Sequence, residues 1–226
     1  MILLNKTTGM RNVIAVGVVS FFTDFSTGMV LGVLPLFIVG NLGAPRAILG
    51  AIEGSAELVS YAVRMLSGSL SDKTGNRKTY VIAGYALSTA SKPFFAASAG
   101  WLDAFIIRIM DRAGKGIRTA PRDALIADSV SESKSDRAFG LHGTMDQFGA
   151  VIGPVAAFAL LQWQFDIRGV FLFSLIPGVI ALMILAFAVK EVAIKKRRIN
   201  ATLFSNIQNV LKENRPTTKC NIYKKV

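Results

Sequence analysis

The sequence predicts an all-α membrane protein with six transmembrane helices, and three observations carry that prediction. The 226 residues are 52% hydrophobic, and their mean hydropathy of +0.47 is higher than soluble globular chains normally reach. The apolar residues gather in runs of about 20, the length of a helix that crosses a bilayer. The cations gather between those runs, in every second connection. The net charge of +12 would also suit a nucleic-acid partner. Its cations sit beside apolar runs and not on one soluble face, so no nucleic acid is expected.

Taken in order, the segments are 13–39, 47–70, 79–99, 101–118, 141–163 and 169–189. Lys6 and Arg11 precede the first and imitate the start of a signal peptide. The run behind them is too long for one and lacks a cleavage site, so it reads as a retained helix. Lys73, Arg77 and Lys78 lie between the second and third segments, and Arg118, Arg122, Lys134 and Arg137 between the fourth and fifth. Lys190, Lys195, Lys196, Arg197 and Arg198 follow the sixth, while the alternate loops carry only Arg46 and Arg168. By the positive-inside rule this asymmetry places both termini in the cytoplasm, in a multi-pass protein of the cell membrane. Residues 1–12 read as a cytoplasmic N-terminus, 13–190 as a six-helix bundle and 191–226 as a basic cytoplasmic tail. Within that tail Leu203, Phe204, Ile207, Val210 and Leu211 follow a helical stripe, which suggests an amphipathic surface helix over 201–212.

Charges inside apolar segments are costly and normally face a cavity or a partner. Asp24, in the first segment, reads either as a cavity carboxylate or as a structural one bonded to nearby hydroxyls. Leu34-Pro35 should kink or end that helix. Glu53 and Glu57 share one face of the second segment, with Arg64 two turns on. They are placed to bind cations or protons, or to pair with Lys92 or Arg108. Lys92, followed by Pro93, reads as a charge partner or substrate contact, or as a lysine snorkelling outwards. The fourth segment carries Asp103, Arg108, Asp111, Arg112, Lys115 and Arg118, a load no lipid-facing helix tolerates. Asp111 and Lys115 are spaced to pair. Residues 129–137 read as a solvated loop, the lone His142 as a structural hydrogen-bonder, and the uniformly apolar sixth segment as facing lipid or another bundle. The single Cys220 rules out an internal disulfide framework, and one histidine with one cysteine argues against a zinc site.

The stretch Gly68-Ser69-Leu70-Ser71-Asp72-Lys73-Thr74-Gly75-Asn76-Arg77-Lys78 reads as a short charged hairpin in water. Its pattern resembles the loop between helices two and three of the major facilitator superfamily, G-x-L-a-D-r-x-G-r-k. Gly68, Leu70, Asp72, Gly75 and Arg77 match, and Lys73 stands for the usual arginine. Arg108 to Gly116 is similar to that family's helix-four pattern, with Arg108 at the family arginine and Arg112 in place of the first glycine. Gly140, Gly149, Gly153 and Pro154 fall in register with its helix-five antiporter pattern, while Ala157 and Phe158 replace the closing glycine pair. Small residues four apart also suit an ordinary packing face, so both readings of the fifth segment stand. The string from Arg118 to Asp128 is similar to one found in a subgroup of bacterial and archaeal facilitator proteins.

The resemblance implies the N-terminal six-helix half of the facilitator fold, whose members normally carry two such halves. It implies a secondary transporter, proton-linked and exporting a small molecule, with Asp24, Glu53, Glu57, Arg108 and Arg112 as substrate or proton candidates. Gly68, Asp72, Gly75, Arg77 and Lys78 would form the gating loop. The implied partners are membrane lipid, the small-molecule substrate, protons and a second six-helix half, as a separate chain or a homodimer. One expectation is that the chain is truncated to one half; the competing one is a non-transporting membrane interaction or assembly subunit, or an inactive fragment. The family uses no cofactor, no metal ligand set is expected, and the phosphate-binding pattern G-x-x-x-x-G-K-[ST] does not occur. An enzyme is not expected either, because the charged residues fall at transporter positions and not in a catalytic pair.

Overall fold

The computed structural model describes residues 6–191. Among these the chain is helical, joined by short links: α1 (Lys6–Pro35), a π-helical turn (Leu36–Asn41), α2 (Arg46–Thr74), α3 (Arg77–Ala97), α4 (Trp101–Ser129), a 3-10 turn (Glu132–Lys134), α5 (Ser135–Gln162) and α6 (Ile167–Ala188). Even α3, with 21 residues, is about 31 Å long at the α-helical rise. Successive helices therefore alternate in direction, with the α2–α3 and α4–α5 links at one end, here the near end.

Each helix has its local reason. The proline at position 35 ends the regular part of α1, and the wider π turn absorbs the irregularity, as the sequence suggests. Gly75 closes α2 in the left-handed conformation at φ 77°, which a side chain would disfavour. Asp166 caps α6 by accepting the Ile167 N–H at 2.8 Å. Asp103 accepts the N–H groups of Ala99 and Gly100, both at 3.0 Å, at the start of α4.

The helices run longer than the apolar segments. The region around Gly68 and Asp72 is not a loop: α2 continues through both, and only Gly75 and Asn76 separate it from α3. Likewise α4 continues past position 118 through Pro121 to Ser129, and α5 starts at Ser135, so little of the expected 129–137 loop remains. Polar residues extend these helices because their side chains find partners on neighbouring helices. Three helical stretches, Gly9–Asn41, Glu132–Gln162 and Ile167–Ala188, are long and apolar enough to cross a membrane. The helices α2, α3 and α4 fall outside that group because charges such as Glu53, Arg64, Lys92 and Arg108 interrupt their apolar runs. The amphipathic helix expected over 201–212 lies outside the described residues.

Packing is organised in three levels. At the near end Val13, Val16, Val19, Val81, Leu125, Ile126, Ala181 and Leu185 form one buried apolar cluster. At the far end Val33, Leu34, Phe37, Ile38, Ile52, Phe95, Ile107 and Phe171 form another. Between them lies a buried polar layer that includes Ser20, Thr23, Ser26, Ser88, Lys92, Arg108, Asp111 and Ser174. The tightest seam joins α1 to α5: a Cβ on Gly149 would meet the Phe21 carbonyl oxygen at 2.3 Å, and one on Gly153 would meet that of Phe25 at 2.5 Å. Only glycine lets the two backbones come that close. Gly140 makes no such contact and faces open space. Helix α6 is half-buried, with Val170, Phe171, Ser174 and Ala181 inside and Leu172, Phe173, Ile176 and Phe187 exposed. Only its outer face therefore fits the expectation of a lipid-facing helix.

Candidate functional site

The site is built on α4, which directs Arg108, Arg112, Arg118 and Arg122 towards its neighbours. From Arg108 to Arg122 the ladder runs about 21 Å along the helix axis. Each arginine meets an acid from another element, so the polar layer is a set of ion pairs strung along one helix.

The tier nearer the far end is tightly bonded. The Arg108 side chain is 0% exposed. It grips Glu53 of α2 with two parallel bonds, Nε to Oε1 and Nη2 to Oε2, each 2.8 Å. Such a fork suits a guanidinium and a carboxylate. Its Nη1 donates to Asp111 Oδ2 at 2.9 Å, and Ser88 of α3 donates to the other Asp111 oxygen. One turn on, Arg112 lies 3.6 Å from Glu53 and 3.2 Å from Glu57. The shared spacing of four residues on both helices matches the two acids to the two arginines. The pairing of Asp111 with Lys115 does not form: Asp111 turns to α3, and Lys115 is exposed.

The tier nearer the near end is looser. The Arg118 side chain, 3% exposed, holds Asp24 of α1 only at 3.9 Å, and its guanidinium lies 4.5 Å from the centre of the Tyr85 ring. Arg118 Nη1 and Arg112 Nε are buried without a hydrogen-bond partner. Arg122 lies 3.6 Å from Asp146 of α5 and donates to its neighbour Asp123 at 3.0 and 3.2 Å. Asp123 also meets Arg64 of α2 at 3.2 Å. His142 bonds Ser20 at 2.9 Å, and Ser20 bonds the Tyr85 hydroxyl at 3.1 Å, which fits a structural histidine.

Lys92 corrects an expectation. It does not snorkel outwards: it is buried and donates to Ser26 Oγ of α1, which in turn donates to the Ser174 carbonyl of α6. The α3 face that carries it points at α1 and α6, so its stem runs into the bundle.

At the near end, Arg77 donates to the Ala124 carbonyl at 2.9 Å and to the Asp128 carboxylate. Its other amino group reaches Asp72 at 3.2 Å. Lys78 donates its N–H to Glu191 at 2.8 Å and its ammonium to the Ala186 carbonyl at 2.9 Å. The residues of the sequence motif thus tie α2 and α3 to α4 and to the end of α6. Of the sequence candidates, Glu53, Glu57, Arg108 and Arg112 come together, and Asp24 sits in the second tier. Sequence reasoning missed Arg118, Arg122 and Asp146 as members of one ladder. The four-residue interval from Arg118 to Arg122 was available as a signal, but Pro121 between them reads as a helix breaker.

Comparison with known proteins agrees with this architecture. The family model described as Major Facilitator Superfamily matches residues 16–217. An uncharacterized MFS-type transporter of Methanocaldococcus jannaschii is 32% identical over 204 residues, which is 90% of this chain and 50% of that protein. A multidrug resistance protein MdtH of Aeromonas hydrophila is 25% identical over 138 residues, covering 61% of this chain and 34% of that protein. The chain therefore spans about half the length, or less, of these curated relatives. Among solved structures, a bacterial homologue of the human lysosomal transporter Spinster, inward-facing and unoccupied, superposes with a TM-score of 0.75 at 16% identity. That match covers 92% of this chain and 50% of the other. Sequence motif, helix order and family model converge: this chain belongs to the major facilitator superfamily and is a membrane protein of a transporter family.

Proposed function

We propose that the chain is the N-terminal six-helix bundle of a secondary transporter that couples outward movement of a small molecule to protons. The observation that carries this reading is the buried ladder on α4. Four arginines facing acids from α1, α2 and α5 in one polar layer are expensive to maintain inside a membrane, and such charges mark a substrate or proton path. All six helices cross the membrane in this reading, with the inward-turned charges of α2, α3 and α4 shielded from lipid. Both termini lie on the cytoplasmic side of the cell membrane, as the loop cations imply.

A second six-helix bundle completes the transporter, from a separate chain, a second copy or a longer form. The exposed apolar faces of α2 (Leu58, Tyr61, Met65) and α5 (Phe148, Val151, Val155, Phe158) supply surface for it. Gly68, Asp72, Gly75, Arg77 and Lys78 steady the near end during rocking, and Gly149, Gly153 and Pro154 hold α1 to α5. The multidrug relative supports a small amphipathic substrate.

The test is flux. The chain is reconstituted in vesicles, alone and with the half of the Methanocaldococcus relative that the match leaves uncovered, and an imposed proton gradient drives movement of ethidium. Gradient-dependent flux in either preparation, abolished by Arg108→Ala, is the expected result. Absence of flux in both preparations overturns the transporter reading.

A further inference from the structure

We propose that Arg112, Lys115 and Arg118 of α4 form a binding site for an oxyanion group, a carboxylate or phosphate. The group belongs to a transported amphipathic compound or to a free inorganic ion, and the proposal rests on the transporter reading only for its onward movement.

Lys115 is the centre of the site. Arg108, Lys115 and Arg122 are seven residues apart, a spacing that turns side chains by only about 20° on a helix. They share one stripe of α4, whose outer members meet Glu53 of α2 and Asp146 of α5. Lys115, between them, is exposed, and its ammonium makes no hydrogen bond or ion pair among the described residues. Arg112 and Arg118 lie three residues before and after it, an interval at which helix side chains are neighbours. Both keep a buried donor without a partner: Nε of Arg112, on a side chain 11% exposed, and Nη1 of Arg118, on one 3% exposed. A buried N–H that bonds nothing is costly and marks a place for an ion or a water. Three cations on adjoining turns, each with unused donors, offer an oxyanion both opposite charge and several N–H groups.

The acids nearby do not use up these donors. Arg118 faces Asp24 of α1 at 3.9 Å, beyond hydrogen-bonding length, whereas Arg108 holds Glu53 at 2.8 Å. Arg112 meets Glu57 at 3.2 Å and Glu53 at 3.6 Å through its two Nη atoms, which leaves Nε over. The exposed ammonium gives entry from solvent, and the buried guanidiniums hold the anion once it has shed water. Asp24 and the anion then compete for Arg118, so removal of the Asp24 charge strengthens the site.

Isothermal titration calorimetry of the purified chain in neutral detergent at low ionic strength tests this, with inorganic phosphate and phenyl phosphate as probes. Saturable binding of phenyl phosphate is expected. Binding of inorganic phosphate as well assigns the site to a free ion, and its failure beside bound phenyl phosphate assigns it to the acid group of an amphipathic compound. Lys115→Ala should weaken the binding at least about tenfold, Lys115→Arg should restore most of it, and Asp24→Asn should strengthen it several-fold. Arg46→Ala, which removes an exposed charge at the start of α2, should change nothing. Lys115 is exposed, so its variants keep the fold, which circular dichroism checks; if Asp24→Asn unfolds, the two Lys115 variants decide. Binding that Lys115→Ala leaves unchanged, or no saturable binding of either probe to the folded chain, overturns the proposal. Binding as expected beside a failed ethidium flux leaves the anion site standing and removes the transporter reading; flux without anion binding does the reverse.

Discussion

Arg108 shows how much one side chain carries in this layer. It satisfies both Glu53 oxygens and one of Asp111 with bonds of 2.8 to 2.9 Å while fully buried. Arg108→Ala leaves two acids facing an empty space, and removing one partner of a buried pair costs about 3–5 kcal/mol. Thermal unfolding in detergent should show that loss. Arg108→Lys should recover only part of it, because an ammonium cannot form the fork. The residue types of this tier were legible in the sequence, since Glu53 and Glu57 share the four-residue spacing of Arg108 and Arg112. Lys92 was not legible: whether a lysine near a helix end turns out or in depends on the neighbours its helix face meets, here Ser26. The separation of Asp24 and Arg118 along the chain hid their pairing in the same way.

At the scale of the element, the α1–α5 seam and the near-end ties decide stability. Gly149→Val places carbon atoms against the Phe21 carbonyl oxygen, where even a Cβ would lie at 2.3 Å. The expected cost is about 1–3 kcal/mol or more from overpacking, read as a lower unfolding temperature. Gly140→Val, in open space, should change little in the same assay. Asn12 joins three elements, donating to Ser129 Oγ at 2.9 Å and to the Lys190 carbonyl at 3.3 Å while accepting the Lys190 N–H at 3.0 Å. Asn12→Ala should cost about 1–3 kcal/mol, since it strands buried polar groups, and hydrogen exchange should quicken at the ends of α4 and α6. Element order was readable from apolar runs, and helix ends were not. Polar residues such as Asp72, Arg122 and Asp123 extend their helices by bonding across the bundle, which hydropathy does not register.

For the whole molecule the expectation concerns sidedness. With Cys220 replaced by serine, a cysteine at Asn76 in the α2–α3 link should react with an impermeant maleimide only in broken cells. A cysteine at Gln164, between α5 and α6, should react in intact cells. Labelling of position 76 from outside would reverse the topology and with it the proposed direction of transport. Fold class was the most legible property of all, because runs of bilayer length and the alternation of cations are properties of the chain as a whole. That α2, α3 and α4 carry most of the interior charges reflects a division of labour: the more apolar α1, α5 and α6 resemble ordinary spans, with Asp24 of α1 and Asp146 of α5 turned to the arginines of α4.

The near-contact of backbone atoms along α1 and α5 has a mechanical meaning. Two rods that touch without intervening side chains have no soft layer in which to slip, so they swing as one lever. The arginines that face Asp24 and Asp146 ride on the neighbouring helix α4, and any swing of the lever changes their reach. Movement of the rods and the reach of those two ion pairs are thereby geared together, without help from a loop.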